Sequence, residues 1–464
     1  MERVLASETV SKVGETVLLK GWVNTRRDHG QIVFIDLRDY TGIVQCVGGA
    51  ELGKITQESV VEITGTVKNR PEKMINPHLP TGTVEVSVEK YTVLNPAGEL
   101  PIPIEGSGED LSEEVRLRYR YLDLRRARMQ LIMRMRSKFI RSLRESLYQK
   151  DFVEIETPML TKSTKEGARD FLVPSRFQPG KFYALPQSPQ QYKQLLMTAG
   201  VERYFQIARC IRDEDLRADR GFEFTQLDLE MSFVTQSEVM HTVEEVVKTA
   251  VKAVGGKLKD QKFPVVNYPE ALEKYSSDKF DLRSEAEKQD GVLAFAWVVN
   301  FPFFKKVDKK VAAEIADSKS GWTFTHNPFS RPIEKHTQWH LKGEHIEEII
   351  TDQYDLVCNG FEVGGGSIRA HEPDILQATM RIMGYNDQEI ETSIGHMLEA
   401  FRLGTPPHGG IALGIDRLVM LLSQSSSLKE TIAFPMTSTG RTAVMDAPTP
   451  VSAEQLKELG LKLA

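Results

Sequence analysis

Arg203-Tyr204-Phe205-Gln206-Ile207-Ala208-Arg209-Cys210-Ile211-Arg212-Asp213-Glu214, a charged loop to Gly221, then Phe222-Glu223-Phe224-Thr225-Gln226-Leu227-Asp228-Leu229-Glu230-Met231 is the stretch on which the fold turns. Both flanks alternate with period two. Side chains two apart share a strand face, so Arg212 and Glu214 point one way, as do Gln226, Asp228 and Glu230. Leu227, Leu229 and Met231 lie behind them. The pattern predicts a hairpin with one polar and one core face. An arginine on a strand presents a planar fork of donors that suits phosphate. The bland alternative is an exposed hairpin with solvated charges.

Outward toward the C-terminus, Asn359 to Arg369 (NGFEVGGGSIR) holds three consecutive glycines, which let backbone approach a ligand. Glu362 before them and Arg369 after them suit a metal and an anion. Asp355, seven residues earlier, completes a carboxylate pair for Mg²⁺. Without a ligand this is a tight turn. Gly404 to Leu422 (GTPPHGGIALGIDRLVMLL) reads as a glycine-rich strand entering an apolar helix, with Gly414, Ile415, Asp416 and Arg417 at the junction. The alternative is an ordinary strand–helix turn.

Toward the N-terminus, residues 17–23, 32–38, 43–47, 61–67 and 83–88 read as five short strands, from β-branched residues and Gly/Asp/Asn turns. Five strands in such a span suggest a closed barrel. Pro, Gly and acidic residues from Pro96 to Glu109 read as a linker. A helix is expected from about Arg128 to Gln149, with Ile132, Met135, Phe139, Leu143 and Leu147 at helical spacing. Beyond Phe152, strands and helices mix without regular βαβ alternation, which favours an α+β domain on an antiparallel sheet flanked by helices. The expected division is 1–95 barrel, 96–126 hinge and 127–464 catalytic domain.

The chain has 464 residues, 40% hydrophobic and 27% charged, the balance of a globular protein. No apolar run is long enough to span a bilayer. The first residues lack a secretory-signal layout, and Cys46, Cys210 and Cys358 form no CxxC pair; a cytoplasmic location is expected. The net charge of −6 argues only weakly against a nucleic-acid partner, because local clusters decide binding; Arg26-Arg27 and runs at 116–128 and 134–144 are basic.

In this order, the hairpin, the triple-glycine stretch and the Gly414–Arg417 junction resemble motifs 2 and 3 of class II aminoacyl-tRNA synthetases. Phe152 to Leu160 (FVEIETPML) resembles motif 1, through which that family forms homodimers around Pro158. No P-loop is present. Thr164 to Asp170, Leu185 to Gln194, Arg212 to Arg220 and Glu362 to Arg369 narrow the resemblance to aspartyl-tRNA synthetases of the bacterial type, and the N-terminal barrel to their anticodon-binding OB-fold. The resemblance implies aspartate–tRNA ligase activity with ATP and Mg²⁺. Aspartate would be held by Glu166, Ser188, Gln190, Lys193, Arg212, Asp228, His326 and Arg369. Lys193 and Arg369 would take its side-chain carboxylate, and Gln190, Asp228 and Glu166 its ammonium. ATP would meet Arg212, Asp213, Glu214, Gln226, Glu362, Gly414, Ile415, Asp416 and Arg417, with Arg212, Glu214 and Arg417 catalytic and Asp355 and Glu362 on the metal. tRNA would meet Arg26, His29, Phe34, Gln45, Arg217 and Arg220, with Arg27 beside Arg26 on phosphates. Phe34 is alternatively a barrel core residue, and His326 a plain loop histidine.

Two departures matter. Relatives carry Gln-Pro after the loop arginine, where this chain has Gly221-Phe222. The bacterial insertion between motifs 2 and 3 is reduced to the junction near 281–295, and the core is expected to fold without it. Histidine at position 29, where strict relatives have leucine, implies relaxed specificity extending to tRNA(Asn). The rivals are an asparaginyl-tRNA synthetase, disfavoured by two cations at Lys193 and Arg369; a catalytically silent paralogue, disfavoured by intact Arg212, Glu362, Arg369 and Arg417; and a single-strand binder using only the barrel, which leaves most of the chain unexplained.

Overall fold

The structure is a computed structural model that describes all residues except Lys165, Arg217, Ala218, Lys309, 311–313, 315–317 and Ala464. The tRNA contact expected at Arg217 therefore lies outside the described residues. Two units are present, Met1–Pro103 and Ile104–Ala464.

The first unit is a closed barrel of Thr16–Asp28, Val33–Arg38, Ile43–Gly48, Val60–Asn69 and Val84–Asn95. Alternation puts Val17, Leu19, Val23, Val33, Ile35, Leu37, Ile63 and Val86 inside. The residues between them face outward. Closure leaves no long unpaired edge.

The second unit is built on an eight-stranded sheet. From one edge its order is Val265–Asn267, Phe295–Val299, Gln353–Cys358, Phe361–Ile368, His408–Gly414, Glu223–Ser232, Arg203–Ile211 and Val153–Glu154. The two edge strands pair parallel; every inner pairing is antiparallel. Helices Ala127–Tyr148 and Gln236–Ala253 bury Phe139, Leu143, Leu147, Val243 and Val247 in one core with Leu227, Leu229 and Ile411 of the sheet. Met135, expected in that helical stripe, is only half-buried; Met129 is fully buried instead. The junction at 281–295 is a short connection through helix Glu285–Gln289. The strands beside it, Val265–Asn267 and Phe295–Val299, remain paired.

The stretch read as a hinge divides in character. Its second half carries helices Glu113–Arg118 and Arg120–Asp123 and lies in the larger unit. Arg116, Arg120 and Arg126 converge on the fully buried Asp123 carboxylate at 3.0, 2.7 and 2.9 Å. Much of this basic run thus turns inward to a carboxylate rather than outward to a polyanion. Composition reads the arginines but not their partner.

Candidate active site

Strand pairing sets the floor of one cavity of about 590 Å³. Register puts Gln226 opposite Gly414, Asp228 opposite Ala412 and Glu230 opposite Gly410. A Cβ at Gly410 would lie 2.1 Å from Glu230 Oε2, so only glycine leaves room for that carboxylate. Helix Gln190–Thr198 lowers Lys193 onto this floor. Its Nζ lies 3.0 Å from Asp228 Oδ2 and 3.0 Å from Glu230 Oε2. Arg369 donates through Nε to Glu230 Oε1 at 2.9 Å, and also to Ser367 Oγ and the Gly410 carbonyl. All four charged side chains are at most 3% exposed.

Buried charges survive only when paired, and the pairing here is uneven. Burial pushes against the Glu230 carboxylate, but Arg369 and Lys193 outweigh it and hold the group down to about 2. At Asp228 burial dominates. Lys193 opposes it and Glu230 reinforces it, so the carboxyl rises to about 6. Asp228 Oδ1 is buried without a hydrogen-bond partner, and Asp228 lines the cavity. An orphan acceptor at a cavity wall suits a cationic ligand group.

The surrounding loops bring the other expected residues to the same cavity. Ser188 Oγ donates to Glu166 Oε2 at 2.7 Å, and burial raises Glu166 above the usual carboxylate range. Gln190 donates to Gln194 at 3.0 Å. Arg212 stacks over Phe224 at 5.0 Å and donates to the Gln187 carbonyl at 3.3 Å. Glu214 pairs with Arg220 at 3.3 Å. Arg417 donates to the Glu362 carbonyl at 2.5 Å and to Asp219 Oδ2 at 3.1 Å. His326 lines the cavity with Nε2 3.0 Å from Asp355 Oδ2, and its Nδ1 has no partner. Burial disfavours the charged ring, but Asp355 and Glu362 prevail and raise its pKa.

Asp355 also accepts from Gln353 Nε2 at 2.7 Å. Glu362 Oε2 meets Lys279 Nζ at 3.0 Å, and this ammonium, with His326 and Arg417, overcomes burial to hold Glu362 at about 2. A Cβ at Gly365 would stand 3.2 Å from Asp355 Oδ1 and 3.6 Å from Glu362 Oε1. The two carboxylates therefore lie close together beside Gly365, Glu362 on the cavity wall and Asp355 buried and absent from it. Among the described residues no group of three or more His, Cys, Asp or Glu forms a metal cage.

Two expected ATP contacts fall elsewhere, and a third is engaged within the fold. Ile415 is fully buried in the main core. The amide of Asp213 donates to the Arg169 carbonyl, and Asp213 is absent from the cavity wall. Asp416 borders the cavity, but its carboxylate accepts from the Thr225 amide at 2.8 Å and from Arg136 at 2.5 Å, tying the sheet to the long helix. Strand–helix junctions put successive residues on opposite sides, which the motif alone does not reveal.

Sequence reading also missed site members. Glu230 was visible on the polar face, but its pairing with Lys193 and Arg369 was not. Lys279, Asp219 and Gln353 line the cavity from loops and a strand with no local signal.

In the barrel, Phe34 is half-buried on the outer face, edge-on to His29 at 5.7 Å. Arg27 pairs with Asp36 at 2.8 Å and reaches Gln45 Oε1 at 3.4 Å; Gln45 donates to Glu85 at 3.2 Å. Arg26 Nη1 donates to the Gly53 and Ile55 carbonyls at 2.5 and 2.7 Å, bracing a loop while the residue stays exposed.

Comparison with known proteins agrees with this geometry. Residues 112–438 match the family model for tRNA synthetases class II (D, K and N), and 17–94 match the OB-fold nucleic acid binding domain. The chain is 38% identical to an aspartate–tRNA(Asp/Asn) ligase of Phenylobacterium zucineum (strain HLK1) over 585 residues, covering 98% of this chain and 97% of the relative. It is 39% identical to one of Geobacillus sp. (strain WCH70) over 575 residues, covering 98% and 96%. Both matched lengths exceed the 464 residues here, so the relatives contain a segment without counterpart. Among solved structures, asparaginyl-tRNA synthetase from Pyrococcus horikoshii complexed with asparaginyl-adenylate superposes with TM-score 0.74 at 25% identity, covering 94% and 98%. A putative aspartyl-tRNA synthetase from Leishmania major Friedlin shares the fold at TM-score 0.73 and 22% identity, covering 94% of each chain.

Proposed function

The chain belongs to the class II tRNA synthetases of the D, K and N group, and from that premise we propose that it is an ATP-dependent aspartate–tRNA ligase. One observation carries the choice of amino acid. Lys193 and Arg369 form a buried cationic pair on the cavity floor, beside the unpartnered Asp228 Oδ1. A carboxylate side chain fits the pair, and an ammonium fits Asp228. A neutral amide side chain makes poor use of two buried cations. The relatives of 38–39% identity, named for both Asp and Asn tRNAs, support the same reading.

The chemistry is two displacements. The aspartate α-carboxylate attacks the ATP α-phosphorus in line and pyrophosphate leaves. The terminal 3′-hydroxyl of tRNA then attacks the adenylate carbonyl. Positioning and charge neutralisation suffice for the first step. Arg212, held flat on Phe224, takes the α-phosphate and substrate carboxylate. Arg417 exchanges Asp219 for the terminal phosphate. Glu214 and Gln226 hold the nucleoside side, and Glu166, Ser188 and Gln190 close over the ammonium. His326, with one ring nitrogen fixed by Asp355, reports through the other on the bound substrate. Asp355 and Glu362 approach each other beside Gly365, which has no side chain to separate them. They fit a hard divalent cation, Mg²⁺, which neutralises polyphosphate charge when bound.

Phe34 stacks an anticodon base and Gln45 reads its edge. Arg220 faces the acceptor end. His29 packs on Phe34, and its place on that face supports acceptance of both tRNA(Asp) and tRNA(Asn). Exposed Tyr148, Val153, Met159 and Leu160, flanking Pro158, support a homodimer through this edge. No helix among the described residues is long and apolar enough to cross a membrane. Three free, buried cysteines support a reducing cytoplasm.

The test is aspartate-dependent exchange of pyrophosphate into ATP, followed by charging of purified tRNA(Asp) and tRNA(Asn). Exchange with aspartate and not asparagine is expected. No exchange would remove the enzyme reading, and exchange driven by asparagine would reverse the amino-acid assignment.

A further inference from the structure

Lys279 is a cavity residue to which the two displacements give no task. Its backbone is rooted. The next residue, Phe280, is buried, stacks on Tyr275 at 4.3 Å, and accepts a hydrogen bond from the Gly360 amide at 3.0 Å. Its side chain is not confined. It is 41% exposed, whereas Lys193, the other cavity lysine in an ion pair, is 1% exposed and held by two carboxylates. A strongly hydrated ammonium on a flexible four-carbon stem exchanges partners readily when one end stays in water.

The partner it holds is Glu362, at 3.0 Å. Asp355, buried beside Gly365, is 3.0 Å from His326 Nε2. Of the two carboxylates assigned to a divalent cation, Glu362 thus has a cationic counter-group and Asp355 a hydrogen-bond partner. An ammonium and a divalent cation compete for the same carboxylate lone pairs. Among the described residues no group of three or more His, Cys, Asp or Glu could hold a metal ion, so the remaining coordination positions fall to water and nucleotide oxygens.

We propose that Lys279 is an exchangeable counter-ion, seated on Glu362 while the nucleotide site is empty and transferred to the ATP polyphosphate when a divalent cation takes Glu362. The proposal rests on the reading of Asp355 and Glu362 as the cation pair. It makes Lys279 a positioning residue that disfavours cation binding without nucleotide and favours the cation and nucleotide together.

The experiment is titration of the nucleotide-free full chain with Mn²⁺, followed by electron paramagnetic resonance, for the unaltered protein, Lys279→Met, Lys279→Arg and Glu362→Gln. Lys279→Met is expected to bind Mn²⁺ roughly tenfold more tightly, since a neighbouring unit charge has gone. Lys279→Arg should stay near the unaltered protein, and Glu362→Gln should lose the site. In pyrophosphate exchange, Lys279→Met should raise the KM for ATP about tenfold with a smaller change in kcat. Unchanged thermal melting serves as the folding control. If Glu362→Gln loses Mn²⁺ but Lys279→Met binds it no more tightly than the unaltered protein, the Lys279 proposal falls and the carboxylate reading stands. If Glu362→Gln binds Mn²⁺ like the unaltered protein, the carboxylate reading falls and takes the proposal with it.

Discussion

The catalytic cavity and the outer face of the barrel both assemble charged and polar groups, but under opposite conditions. In the cavity, Lys193, Arg369, Asp228 and Glu230 lie beyond water and hold each other at about 3 Å. On the barrel, the Arg27 side chain is 44% exposed against Asp36, and Phe34 and His29 stand beside it at the surface. Buried charges act at low effective dielectric and in fixed geometry, so they discriminate strongly and tolerate no loss. Exposed pairs are screened and contribute little each. What remains effective in water is ring area and hydrogen-bond edges. Under the proposed function, one region would recognise a small zwitterion by charge and the other an unpaired base by stacking.

Three changes would break or sharpen this contrast. The largest effect is expected from Lys193→Met, which strands Asp228 and leaves Glu230 with Arg369 as its cation. Breaking a buried pair costs about 3–5 kcal/mol, so aspartate kcat/KM should fall roughly a hundred- to several-thousand-fold. Steady-state pyrophosphate exchange measures this, with tRNA binding as the control that the barrel is untouched. A loss under tenfold would mean the cavity is as screened as the barrel. Next comes Phe34→Ala. Loss of one stacked base is worth about 1–3 kcal/mol, so tRNA charging should weaken roughly five- to 150-fold while pyrophosphate exchange is unchanged. Equal loss in both assays would show that Phe34 is a barrel core residue after all.

The smallest effect is in pH. Asp228 titrates near 6 because burial raises it. Its ionised form accepts the substrate ammonium, so aspartate binding is intact above 6 and is lost as pH falls through it. From pH 7 to 5 the kcat/KM for aspartate in exchange should drop about tenfold. Asp228→Asn should lower activity at pH 7 and flatten that limb. A limb that persists in the variant would belong to another group.

Much of this was legible in the sequence because it is local. The five barrel strands, the hairpin of 203–231 and the helix at 127–148 follow from alternation over a few residues, although the first and last barrel strands run on to Asp28 and Asn95, past the expected ends at Val23 and Val88. The polar face carrying Gln226, Asp228 and Glu230 was legible for the same reason. The Gly414–Arg417 junction was half legible. Arg417 reaches the cavity, but Ile415 turns into the core and Asp416 to Arg136. The hinge was misjudged in its second half, because Asp123 holds three arginines whose common partner no composition count reveals.

The sequence by itself therefore determined the elements, the two-part organisation and the residue types available to the site. Side-chain period and turn chemistry act over neighbours and need no folded context. Only the tertiary structure decided which charge answers which. Arg369 and Glu230 are 139 residues apart in the chain and 2.9 Å apart in space. Lys279 finds Glu362, Asp219 finds Arg417, and Arg26 turns Nη1 to the carbonyls of its own barrel. Coulomb and hydrogen-bond energies depend on distance through space and on exclusion of water, and neither exists until the chain has closed on itself.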